Sequence, residues 1–248
     1  MKRPIFTALL TALSIAASAA TMTVMDVKNS ITDDDIIYPE SFDTDTKQLM
    51  TDWYLQRYAV LEDMPRQPHP ENISDQEYIS RLQKLPTVIE MPFNQIVKQY
   101  IEMYANRRTD LVEKMLSLSL YYNPIFEDAL ERYGLPVELK YLPIIESALN
   151  PNAVSRAGAA GLWQFMASTA TGEGLEVNSL IDERRDPIKS SDAAAALLKK
   201  FYDIYKDWNL VLAAYNCGPG NVNKAIKNSG NKTDYWEIYP YLPKETRG

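Results

Sequence analysis

From Pro92 onward, apolar positions recur at helical spacing. NQIVKQYIEMYANR places Ile96, Tyr100, Ile101 and Tyr104 on one face, and LVEKMLSLSLYY repeats the habit. Asn123 followed by Pro124 predicts an N-cap and first position, carrying IFEDALERY to a stop at Gly134. Pro136 predicts the opening of a helix through YLPIIES, closed by Asn150 and Pro151. Leu162 is expected to start a helix with Gln164 and Met166 on its first turns. Ser190 or Ser191 is expected to cap DAAAALLKKFYDIYK, and Trp208 to Tyr215 reads as an apolar helix ended by CGPG. Strand signals are nearly absent, so the pattern predicts an all-α domain of several packed helices.

Upstream of this the texture changes. ITDDDIIYPESFDTDTK and DMPRQPHPENIS are acidic and broken, and the one short helical period spans Leu49 to Tyr58. The first residues combine a basic start (Lys2, Arg3), an apolar stretch from Ile5 to about Ala17 and small residues around Ala19, the pattern of a secretory signal peptide. That stretch is too short for a good membrane anchor, and the absence of a cysteine beside it gives no support to lipid attachment. The expected organisation is a signal peptide over 1–19, an irregular acidic extension over 20–90, and a helical domain over 91–248. Such a chain is expected outside the cytoplasm, with no stable transmembrane segment after processing.

Composition narrows the chemistry. At 248 residues, 46% hydrophobic and 24% charged, the chain can bury one good-sized core. Its 26 basic residues face 33 acidic ones; losing Lys2 and Arg3 with the leader leaves 24 basic and a net charge of −9. That balance excludes nucleic acid as a partner held by phosphate neutralisation. The lone Cys217 cannot form an intramolecular disulfide. His69, the only histidine, lies between two prolines in a loop, so neither a histidine relay nor a zinc site is expected, and no metal or cofactor is called for.

Three segments carry chemistry when taken together. IIESALNPNAVS sets Glu146 in an apolar run, where burial favours the protonated carboxyl that a general acid needs. In GAAGLWQFM, Gly158 and Gly161 allow close backbone approach beside Gln164 and Met166. LAAYNCGPGNV delivers Tyr215 and Asn216 from an apolar helix into a tight turn. Each alone fits a structural role: a surface glutamate, a core helix, a helix cap. The acids of DERRDP (Asp182, Glu183, Asp186) stand beside Arg184 and Arg185, where salt bridges are the expected use.

In this order, ES in an apolar helix, NPNAVSRAGAAGLWQFM, DERRDP, LAAYNCGPGNVNKAI and LPKETRG, the sequence resembles the family 1 lytic transglycosylases of bacterial cell-wall turnover, and within them the murein transglycosylase D type. The resemblance spans roughly Leu118 to Gly248. It implies a lysozyme-like, goose-type helical fold acting as a monomer on peptidoglycan glycan strands in the periplasm, cleaving the bond from N-acetylmuramic acid to N-acetylglucosamine. The product it implies is a 1,6-anhydromuramic acid end, with no water consumed. Residue by residue, it makes Glu146 the single catalytic acid and base and Ser155 a hydrogen-bonding serine near it. It makes Gln164 and Met166 groove residues, Tyr215 the tyrosine that orients the glutamate, Asn216 the contact to the acetamido group, and Glu245 an additional groove glutamate. Trp163 and Cys217 depart from the methionine and alanine common in the family. Family members also usually continue with a tyrosine and a further helix beyond the position of Gly248, often with peptidoglycan-binding LysM repeats. A hydrolytic goose-type lysozyme and a noncatalytic glycan-binding envelope protein are the alternatives.

Overall fold

The computed structural model describes residues 23–43 and 73–247. The signal sequence over 1–19, the helix expected across Leu49 to Tyr58, and His69 lie outside the described residues.

Ten α-helices are described: α1 (Val24–Ser30), α2 (Asp75–Gln83), α3 (Gln95–Glu102), α4 (Thr109–Arg132), α5 (Leu142–Ser147), α6 (Ala167–Gly172), α7 (Pro187–Tyr205), α8 (Trp208–Cys217), α9 (Pro219–Asn228) and α10 (Tyr235–Ile238). Among the described residues the only β-type pairings are three isolated bridges, and no helix is long and apolar enough to cross a membrane.

The main core lies where α4 packs on α7 and α7 on α8. Leu111, Leu118, Phe126 and Leu130 of α4 meet Ala194, Leu198 and Val211, all essentially sealed from solvent. The run of alanines in α7 lets its neighbours approach closely, and each larger side chain buried here contributes about 1.5–3 kcal/mol. Trp163 lies fully buried at the centre, edge-on to Phe126 at 5.2 Å, with its indole N–H donated to Ser191 Oγ at 2.9 Å. A smaller cluster joins Leu210 and Ala214 of α8 to Val222, Ala225 and Ile238.

Several boundaries differ from the sequence expectation. Asn123 and Pro124 do not start a helix: α4 runs through them for 24 residues. Pro124 and Leu120 both lie on the exposed face, so the backbone bond that proline removes is lost on the solvent side. Neither Ser190 nor Ser191 is a cap. Asp186 fills that role, accepting from the Ile188 and Lys189 N–H groups at 2.9 Å, with Pro187 in the first turn. The two serines sit inside α7 and donate back to the Asp186 and Pro187 carbonyls. On the face anticipated for α3, Ile96 is buried and Tyr100 packs inward; Tyr104 follows in a π turn over Met103–Arg107.

The described part of the acidic extension is docked on the helical domain. Lys28 of α1 pairs with Glu90 at 2.7 Å and Asp234 at 3.2 Å. Val27, Ile31 and Ile36 pack against Ile96, Trp236 and Tyr239. Asp33 pairs with Arg247 at 2.9 Å and accepts from the Tyr239 hydroxyl at 3.1 Å, while Asp35 pairs with Lys244 at 2.6 Å.

Candidate active site

Glu146 stands on a short helix with an abrupt end. After Pro136 the chain makes a 3-10 turn over Val137–Tyr141 and then α5, only six residues long. α5 stops at Ser147, earlier than the expected Asn150 and Pro151, because Ala148 (φ 51°) and Leu149 (φ 61°) both turn left-handed. Their N–H groups fold back to the Ile144 carbonyl at 2.9 Å and the Pro143 carbonyl at 3.3 Å. Such backbone in non-glycine residues costs of order 1–3 kcal/mol each, and the complete burial of both side chains offsets it. Glu146 is only partly exposed, and burial pushes its carboxyl pKa up to about 7.

The segment expected to be helical from Leu162 is instead a turn, Gly161 to Gln164, bracketed by the Ala160–Phe165 bridge. Positive φ at Gly161 (85°) and Gln164 (47°) reverses the chain, so the apolar character of Leu162 and Trp163 reflects burial of the turn itself. The next helix, α6, begins at Ala167. Gly161 is required by space as well as by φ: a Cβ there would lie 1.8 Å from the Arg184 carbonyl oxygen. Arg184 clamps the turn, donating to the Gly158 carbonyl at 3.0 Å and the Phe165 carbonyl at 3.1 Å while paired to Asp182 at 2.8 Å.

Two successive carbonyls of this turn gather the site. The Ser147 hydroxyl lies 2.9 Å from the Leu162 carbonyl, binding the end of α5 to the turn. The Tyr215 hydroxyl, from α8, donates to the Trp163 carbonyl at 2.8 Å. Burial holds the Tyr215 pKa well above the usual phenol value, and the Glu146 carboxylate adds to that shift, so the two groups are neighbours. Gln164 donates to the Gly161 carbonyl at 2.8 Å and the Ala153 carbonyl at 3.3 Å, spanning the two loops.

The remaining candidates stand around this centre. Ser155 Oγ accepts from the Ala159 N–H at 3.1 Å, closing its own loop, and Met166 is 44% exposed. Asn216 is exposed and accepts from the buried Thr246 hydroxyl at 2.9 Å. Glu245 is exposed in the 3-10 turn Lys244–Arg247. No hydrogen bond among the described residues links Ser155, Met166 or Glu245 to Glu146. Sequence reasoning assigned nothing to Ser147 or Thr246, and saw Arg184 only as a salt-bridge partner. A serine directly after an acid in an apolar run was the available signal for Ser147.

The nearby acids are otherwise engaged. Hydrogen bonding to Arg184 lowers the Asp182 pKa, and the Glu176 N–H and Lys189 lower that of Glu183. Burial also raises Asp207, but that side chain caps α8 through the Leu210 N–H at 2.9 Å. Among the described residues no group of three or more His, Cys, Asp or Glu side chains is arranged to hold a metal ion. What remains is one carboxyl, its pKa raised to about 7 by burial, flanked by a tyrosine and a braced loop.

Fold and site together define a helical domain with a carboxyl of raised pKa, Glu146, beside a tyrosine and a braced turn. Residues 123–238 match the family model described as Transglycosylase SLT domain. Among curated relatives, the membrane-bound lytic murein transglycosylase D of Escherichia coli (strain K12) is 37% identical over 161 residues, covering 63% of this chain and 35% of that protein. A putative tributyltin chloride resistance protein of Alteromonas sp. (strain M-1) is 36% identical over 105 residues, 42% of this chain and 51% of its own. The soluble lytic murein transglycosylase of E. coli (strain K12) is 31% identical over 155 residues, 58% of this chain and 23% of its own. The chain thus spans about a third of the length of the first of these relatives and about half of the second.

Proposed function

We propose that this protein is a peptidoglycan lytic transglycosylase of the cell envelope, with Glu146 as its one acid and base. The observation that carries the reading is the Glu146 carboxyl, its pKa raised to about 7 by burial, whereas hydrogen bonds and ion pairs lower those of Asp182 and Glu183 in the DERRDP segment. Hydrolysis of a glycosidic bond ordinarily uses two carboxylates. One suffices when the substrate supplies the nucleophile. Glu146 gives its proton to the departing O4 of N-acetylglucosamine as the C1–O4 bond breaks, and the muramic acid acetamido oxygen supports the charge at C1. The C6 hydroxyl of the same sugar then attacks C1 and returns its proton to Glu146, closing the 1,6-anhydro ring with no water consumed. A group that donates and then accepts works best with a pKa near the working pH.

In this reading Tyr215 orients Glu146, Asn216 meets the acetamido group, and Ser155, Gln164, Met166 and Glu245 border the bound strand. The domain division over 1–19, 20–90 and 91–248, export to the periplasm and a monomeric state belong to the same proposal. Light scattering reading twice the chain mass would sink the last.

The deciding experiment digests purified sacculi and weighs the fragments. Anhydro ends, lighter by one water than hydrolytic products, are expected from the native protein, and reducing ends would instead indicate a lysozyme-like hydrolase. Glu146→Gln is expected to lower product release at least about a thousandfold with an unchanged fold by circular dichroism. Substantial cleavage by that variant would remove Glu146 as the acid.

A further inference from the structure

The short helix α5 leaves one carbonyl without its ordinary partner. In a continuing helix the Leu149 N–H would bond the Ile145 carbonyl, but the left-handed pair Ala148 and Leu149 turns that N–H back to Pro143. The Ile145 carbonyl is taken instead by the hydroxyl of Ser41, 2.5 Å away and 104 residues earlier in the chain. Ser41 itself is only 5% exposed, whereas Ile145 is 43% exposed, so the bond is part-buried.

The segment that brings Ser41 in is held along its length. Glu40 accepts from the Arg156 N–H at 3.4 Å, next to Ser155. Tyr38 meets Tyr100 edge-on at 5.3 Å. Asp33 and Asp35 grip Arg247 and Lys244, which flank the Thr246 that bonds Asn216. Residues 33–41 therefore run from the Asn216 side of the site to the helix that bears Glu146.

We propose that Ser41 is a positioning residue for Glu146: its buried hydroxyl caps the Ile145 carbonyl and fixes the last turn of α5, on which the acid stands. The proposal rests on the reading of Glu146 as the acid. It assigns part of the acidic extension to the catalytic unit, where its hydrogen bond acts on orientation and not on glycan binding.

The test compares Ser41→Ala with the native protein, full chain in each case. On sacculi, kcat is expected to fall about tenfold with KM within about twofold, since small displacements of a reacting group cost rate and not binding. Hydrogen exchange is expected to quicken at least about tenfold at the Ala148 and Leu149 amides, with the core amides of α7 unchanged. Arg81→Ala, which cuts the exposed pair to Glu77 within α2, serves as the control and should match the native protein in both readouts. Native exchange at Ala148 and Leu149, acceleration spread equally through α7, or native kcat in Ser41→Ala would overturn the proposal. An inactive native protein would overturn the transglycosylase reading alone, because exchange is read without turnover.

Discussion

A carboxyl that keeps its proton up to about pH 7 when folded, against an ordinary value of 4.5, binds more protons in the folded than in the unfolded state throughout that interval. Stability therefore falls as pH rises from 4.5 to 7, by at most about 3 kcal/mol for Glu146. Glu146→Gln removes the titration while keeping shape and polarity. At pH 8 the variant is expected to melt roughly 6–12 °C above the native protein, and at pH 4 within about 1 °C of it. Equal differences at the two pH values in calorimetric scans would contradict a raised pKa. The apolar run around this acid suggested its burial but fitted a surface glutamate as well; the motifs downstream, taken together, singled it out. The hydroxyl that caps its helix was not legible, since nothing local to Ser41 points 104 residues ahead.

At the scale of elements, the turn Gly161–Gln164 decides whether the three motif segments meet. Gly161→Ala meets two obstacles at once, a φ of 85° and an Arg184 carbonyl where the methyl would sit. A loss of about 3 kcal/mol or more is expected in urea unfolding, together with loss of activity. A change below about 1 kcal/mol would mean that the clamp yields easily. The helices themselves were largely readable, as α7 and α8 show, while their ends were less so. Asn123–Pro124 has the chemistry of a helix start, yet burial of Leu118, Tyr122 and Phe126 on one continuous stripe carries α4 across it. Leu162 and Trp163 look helical because apolar pairs do not distinguish a buried turn from a buried helix.

Across the whole molecule, the docked extension closes the fold against its far side. The Asp33 side chain is 8% exposed and shared between Arg247 and the Tyr239 hydroxyl. Asp33→Asn removes its charge and leaves the Arg247 guanidinium, 17% exposed, without a counter-charge. A loss of about 3 kcal/mol is expected in denaturant melts, far more than for an exposed pair. A loss under about 0.5 kcal/mol would place this contact with ordinary surface ion pairs. Charge runs in the sequence announced an acidic extension but not its docking, since the basic partners lie more than 200 residues away. That separation has a kinetic meaning. Contacts between residues 206 and 209 apart carry a large loop-closure cost, though only slightly more than the 104-residue span from Ser41 to Ile145. The turns of the helix bearing Glu146 close over a few residues, whereas the Ser41 brace on it must close a span of 104. Under the proposed function, full activity is expected only once these two distant segments have met.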